Sequence, residues 1–177
     1  MAGTGKNLPV CPHCGSKRVK KMDEFYRCDD CKKDFGRTAI SDDGEPLVEE
    51  VTGLRFRYGD EESGHTHLRI VQDEKECLFE VYRAMNGDVH KIADVMTLDE
   101  WSKLKKKLFQ NVFLTDWDNT YIPVNDGQQI PEHVEWELGL EVNDTEERIY
   151  HGEGAYPVYW DKFLGYLMPY FKKLEKQ

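Results

Sequence analysis

The chain has 177 residues, 39% hydrophobic and 12% aromatic, enough apolar material for one ordinary domain with room for a small appendage. One third of it (33%) is charged, the formal net charge is −10, and no apolar run approaches the roughly 18 residues of a membrane span. Its start, Met1-Ala-Gly-Thr-Gly-Lys-Asn-Leu-Pro9, has no apolar core of the signal-peptide kind, so the expected compartment is the cytoplasm.

Charge is unevenly placed. Residues 1–40 hold nine Lys/Arg against five Asp/Glu, a net +4, and the remainder holds fifteen against twenty-nine, a net −14. A mildly basic head on a strongly acidic body disfavours broad nucleic-acid binding and suits protein partners or basic ligands.

Four of the five cysteines form two pairs, Cys11-Pro-His-Cys14 and Cys28-Asp-Asp-Cys31, thirteen residues apart. Two thiolates two residues apart can grip one metal from a single tight turn, and two such turns complete a tetrahedron that zinc accepts. Gly15 follows the first pair, where a residue free to take positive φ lets the turn close. Val19–Met22 and Glu24–Arg27 are expected as short strands around a Met22-Asp23-Glu24 turn, and Phe35 is placed to cover the metal. Two disulfides would need an oxidising compartment, and a redox Cys-x-x-Cys normally comes singly on a βαβ pattern. Cys11, Cys14, Cys28 and Cys31 are therefore the expected ligands of one structural zinc ion. His13 is redundant as a ligand, and Cys77, alternating with Phe79 and Val81, reads as a buried apolar residue.

The run Cys-Pro-His-Cys-Gly-Ser…Tyr-Arg-Cys-Asp-Asp-Cys-Lys-Lys-Asp-Phe-Gly, from Cys11 to Gly36, resembles the zinc ribbons of transposases and transcription-associated proteins. The resemblance implies the ribbon fold. It covers about a seventh of the chain and leaves the function open, since such ribbons bind DNA, RNA or proteins in different families.

Beyond residue 40, Ser41-Asp-Asp-Gly-Glu-Pro46 within 41–50 reads as a polar linker. Val51–Tyr58 alternates into a strand with Leu54, Phe56 and Tyr58 on one face; His67–Val71, Cys77–Ala84 and Val89–Met96 follow, the last after an Asn86-Gly87 hairpin turn. Thr97-Leu-Asp-Glu100 is a capping box opening a helix to about Gln110, with Leu98, Trp101, Leu104 and Leu108 at helical spacing. Lys103, Lys105, Lys106 and Lys107 read as a solvated face near the helix C-terminus.

Residues 111–132 read as a long loop holding Asn125-Asp-Gly127 and two prolines. In it, Trp117 sits among polar neighbours and is expected at the surface. His133–Val142 gives the cleanest alternation, Val134, Trp136, Leu138, Leu140 and Val142 inward against Glu135, Glu137 and Glu141, with a partner strand at Glu146–His151. A final helix from about Pro157 carries Trp160, Phe163, Leu164, Leu167, Phe171 and Leu174, and should bend or break at Pro169.

The expected architecture is α+β: a zinc ribbon over 1–40, a linker over 41–50, and an acidic domain over 51–177 with the order β-β-β-β-α-loop-β-β-α. From Asp126-Gly through Trp136-Glu-Leu to Gly152-Glu-Gly-Ala-Tyr-Pro157 the chain is similar to uncharacterised bacterial domains, which implies no activity.

Three further groups bear on chemistry. Asp116-Trp-Asp118-Asn-Thr120 resembles the aspartate-x-aspartate-x-threonine signature of the haloacid-dehalogenase-like phosphatases, which implies Asp116 as nucleophile and Asp118 as acid/base around magnesium. That family sets the signature on a parallel sheet with acids far downstream, and only 57 residues follow Thr120 here. His65-Thr-His67 after Asp60-Glu61-Glu62 is a conceivable second metal site, and His151 has no evident partner. Gly3-Thr-Gly-Lys6 lacks the spacing of a phosphate loop. The leading expectation is a non-catalytic zinc-binding module, its ribbon contacting a protein or nucleic acid through Lys17–Lys21 and Lys32–Lys33, its acidic domain a protein. The alternatives are a metal-dependent phosphohydrolase using Asp116 and Asp118, and an acidic mimic of nucleic acid that occupies a basic target surface.

Overall fold

The computed structural model describes residues 7–123 and 134–176; the Gly3–Lys6 stretch, the Asn125-Asp-Gly127 turn and His133 lie outside them. Within the described residues the fold is mixed α+β, with mostly antiparallel sheet, three helices and a small separate sheet at the N-terminus. That small sheet comprises β1 (Val19–Lys21), β2 (Tyr26–Cys28) and β3 (Asp34–Phe35), paired in order and antiparallel, with Val19 opposite Cys28 and Tyr26 opposite Phe35.

The span 41–50, read from the sequence as a polar linker, is ordered. Ser41 N–H donates to Glu45 O at 2.8 Å and Leu47 N–H to Ala39 O at 2.8 Å. A one-turn helix, α1 (Leu47–Glu50), then sinks Leu47 into the main core.

The large sheet has seven strands: β4 (Val51–Asp60), β5 (Gly64–Gln72), β6 (Glu76–Met85), β7 (Asp88–Thr97), β8 (Thr120–Tyr121), β9 (Glu135–Val142) and β10 (Glu146–Glu153). They lie in the order β7-β6-β5-β4-β9-β10-β8. Period-two alternation sets one face: Leu54, Phe56, Leu68, Ile70, Cys77, Phe79, Val81, Trp136, Leu138 and Leu140 are all buried. Asn86 and Gly87 both take positive φ (52° and 85°), as the tight β6–β7 turn requires. Helices α2 (Leu98–Gln110) and α3 (Trp160–Glu175) cover this face, α2 contributing Trp101, Leu104 and Leu108, α3 Phe163, Leu167 and Phe171. The capping box forms: Glu100 N–H donates to Thr97 Oγ1 at 3.1 Å, and Thr97 N–H to Glu100 Oε2 at 2.9 Å. No helix among the described residues is long and apolar enough to cross a membrane.

Several expectations are corrected. The described part of the 111–132 loop is packed structure: Val112, Leu114 and Trp117 are buried in the main core, a 3-10 turn spans Leu114–Asp116, and β8 pairs parallel with β10. Trp117 is 5% exposed, because its indole fits edge-on against Trp136, Tyr150 and Phe163 while Nε1 donates to Val112 O at 2.8 Å. Lys105 leaves the solvated lysine face; it is buried and its ammonium donates to Val51 O at 3.1 Å. Leu98, grouped with the buried face of α2, is about one-third exposed (36%) at the helix start. Helix α3 runs through Pro169 without a break, and it begins three residues after Pro157.

Candidate metal centre

The two Cys-x-x-Cys segments fold into the same backbone turn twice. In the first, Cys11 N–H donates to Ser16 O (2.9 Å) and Gly15 N–H to Cys11 O (2.8 Å); in the second, Cys28 N–H donates to Lys33 O (3.0 Å) and Lys32 N–H to Cys28 O (3.1 Å). The residue after each second cysteine is left-handed, Gly15 at φ 74° and Lys32 at φ 64°. The repetition aims backbone amides at sulfur: those of His13 and Cys14 at Cys11, and those of Asp30 and Cys31 at Cys28. The Cys31 amide, with the Asp30 amide beside it, draws the Cys28 thiol down to about 7, while burial pushes Cys11 up to about 12. Amides pointing at sulfur stabilise thiolate, the form that binds metal.

The four Sγ atoms lie within 4.8 Å of one another. Cys11 and Cys31 are 3.7 Å apart and Cys14 and Cys28 3.6 Å, close to the roughly 3.8 Å edge of a tetrahedron built on metal–sulfur bonds of about 2.3 Å. All four cysteines are free thiols. The set could hold a metal ion, and zinc suits its softness and geometry. Four protein sulfurs leave no coordination position for a substrate, the pattern of a structural rather than a catalytic site.

Cross-links between the turns hold the sulfurs in place. Asp30 accepts from Ser16 Oγ and from Arg18 Nη1 (2.8 Å), and Asp29 N–H donates to Arg18 O (2.8 Å). Phe35 is 1% exposed beside Cys11 and Cys28, as expected of a residue covering the metal. Two more aromatics come from far along the chain. Phe113 packs edge-on against Phe35 with centroids 5.2 Å apart, and Tyr159 lies 5.4 Å from Phe113 and donates its hydroxyl to Val10 O at 2.7 Å.

The other sequence candidates fall elsewhere. Asp116 accepts the Gly36 N–H at 3.0 Å, and burial raises its pKa. Asp118 is exposed, and its backbone N–H donates to the Tyr121 hydroxyl at 3.0 Å. His67 stacks on Tyr82 with centroids 4.2 Å apart, burial lowering its pKa, and His65 Nε2 stands 3.9 Å from Glu135 Oε2. His151 Nε2 lies 3.1 Å from Thr120 Oγ1, a partner the sequence had not suggested. Among the described residues, the cysteine tetrad is the one convergent group of three or more potential metal ligands.

Sequence reasoning missed Lys32, Phe113, Asp116 and Tyr159 as supports of this centre. Lys32 had a usable signal, since it holds the position in the second turn that Gly15 holds in the first. The others meet the ribbon only through the tertiary fold. No protein-family model matches the chain, and neither a curated protein nor a solved structure does.

Proposed function

We propose that Cys11, Cys14, Cys28 and Cys31 hold one structural zinc ion, and that the chain is a non-catalytic zinc-binding module whose partner is a protein. The metal reading is carried by the duplicated turn, with amides aimed at the first sulfur of each pair. Zinc would supply a four-coordinate anchor that a three-stranded sheet of eight residues cannot replace with hydrophobic burial.

A protein partner is favoured over nucleic acid by the charge on the ribbon. Arg18 pairs with Asp30, Lys20 with Asp29, and Arg27 and Arg37 both with Asp34, leaving Lys17, Lys21, Lys32 and Lys33 outside these pairs. Phosphate binding depends on unneutralised cations, and the body adds a net −14. The phosphohydrolase alternative is disfavoured by Asp116, whose carboxylate already accepts the Gly36 amide. The acidic-mimic alternative shares the body's charge and differs only in what is bound.

Affinity purification from the native host, with mass spectrometry of the eluate, tests the module reading. A specific protein partner that survives nuclease treatment supports it; nucleic acid released in a steeply salt-dependent way replaces it with the nucleic-acid reading. Magnesium-dependent turnover of a phosphate ester, abolished by Asp116→Asn, would overturn the non-catalytic assignment.

A further inference from the structure

We infer that Val112–Trp117 is a latch that couples the metal state of the ribbon to the packing of the body; this rests on the zinc reading above. The segment faces two ways. Val112, Leu114 and Trp117 point into the main core, while Phe113 belongs to the ribbon's own cluster with Cys11, Cys28 and Phe35. Asp116 clasps the ribbon from the same segment through the Gly36 amide. The aspartate that matches a catalytic signature in the sequence is thus a positioning residue.

Phe113 is the stressed point. Its backbone is left-handed (φ 53°, ψ 47°), a conformation disfavoured for a bulky side chain and kept only where the surroundings over-determine it. The surroundings here are Phe35, Tyr26 (centroid 6.3 Å away) and Tyr159. Phe35 and Tyr26 come from the ribbon, whose order depends on the metal. When the metal leaves, Phe113 loses the cradle that offsets its strain, and the Gly36 donor moves off Asp116. The backbone of the segment then relaxes, and Trp117, whose Nε1 bonds back to Val112 O, is displaced from the core. Coupling of this kind is reciprocal, so damage on the body side must weaken metal binding by the same factor.

Hydrogen exchange on the full chain, zinc-loaded and after a strong chelator, reads the latch directly. Its reporters are the Asp116 N–H, bonded to Phe113 O at 2.9 Å, and the Trp117 N–H, bonded to Leu114 O at 3.2 Å. Both should exchange at least ~10-fold faster without zinc, while Phe56 and Ile70 in the sheet centre stay protected. Loss of protection at the Gly15 and Lys32 amides of the two cysteine turns, while Asp116 and Trp117 keep theirs, would overturn the latch alone; a chain that holds no metal as purified would overturn the zinc reading with it. Reciprocity is tested by zinc competition with a chromophoric chelator. Tyr159→Phe, which removes one hydrogen bond to Val10 O and keeps the ring, should weaken zinc binding roughly 2- to 10-fold. Phe113→Ala should weaken it more. Unchanged zinc affinity in both variants would overturn the inference.

Discussion

Replacing Trp117 by alanine removes a side chain that is 5% exposed and packed against Trp136, Tyr150 and Phe163 at centroid distances of 6.3, 6.1 and 5.2 Å. Truncating a buried tryptophan costs about 3–5 kcal/mol in lost transfer energy and cavity. The substitution also strips the donor from the Val112 carbonyl, which adds roughly 1 kcal/mol or more for a buried unpaired acceptor. The expected loss is about 4–6 kcal/mol, a large share of the roughly 5–15 kcal/mol that holds a typical domain. Trp136→Ala is the internal standard, since Trp136 is 1% exposed and donates Nε1 to Ala155 O at 2.9 Å. The two variants should fall within about 1 kcal/mol of each other in urea melts followed by far-UV circular dichroism, provided m is unchanged. Should Trp117→Ala be too unstable to measure, Trp117→Phe keeps most of the ring burial and loses the hydrogen bond, for about 1–3 kcal/mol. A Trp117→Ala cost below about 1 kcal/mol, the range of surface changes, would refute the burial argument and restore the surface reading of this loop.

Protein prepared reduced and without chelator should carry one zinc per chain by elemental analysis, and Cys28→Ser should release it; a metal-free wild type would remove the basis for the ribbon assignment. Gly152→Ala should destabilise by about 1–3 kcal/mol in the same melts, because its methyl would stand 2.4 Å from Trp136 Nε1 and 2.7 Å from the Ala155 carbonyl; a neutral result would mean the β9–β10 face yields more than the packing implies. Burial raises the Asp116 pKa against the opposing pull of the Gly36 amide. Such a carboxyl contributes stability fully below its unfolded value, near 3.8, and loses that contribution as pH rises through the raised folded value. Asp116→Asn keeps an acceptor for Gly36 and abolishes the titration, so its stability relative to wild type should climb as pH rises from 3.8; a flat or falling difference across that window counts against the buried charge.

What could be read from the residues alone was local. The cysteine pairs declared themselves because each grips metal within one turn, and Leu54–Phe56, Leu68–Ile70 and Trp136–Val142 declared their strands by a period of two. The Thr97–Glu100 box worked for the same reason, as donor and acceptor lie three residues apart. Trp117 failed the same reading because its burial has no period. It stands between Asp116 and Asp118, and one buried residue in a polar run is indistinguishable from an exposed one until the partners are known. Lys105 failed because its acceptor is the Val51 carbonyl, supplied by a strand 54 residues away. Strand β8 has two residues, too few for any pattern.

The aspartate pair shows a different obstacle, since there a pattern was present but carried no information about its tertiary surroundings. A short signature specifies residue types and spacing, but catalysis needs both carboxylates to face one bound phosphate and its metal. The 3-10 turn Leu114–Asp116 ends between them: Asp116 is carried toward Gly36, eighty residues back, and Asp118 is left exposed. The same turn carries Phe113 into the ribbon and leaves Leu114 and Trp117 in the body. That two-sided packing gives the acid at 116, the aromatic at 113 and the indole at 117 structural roles of their own.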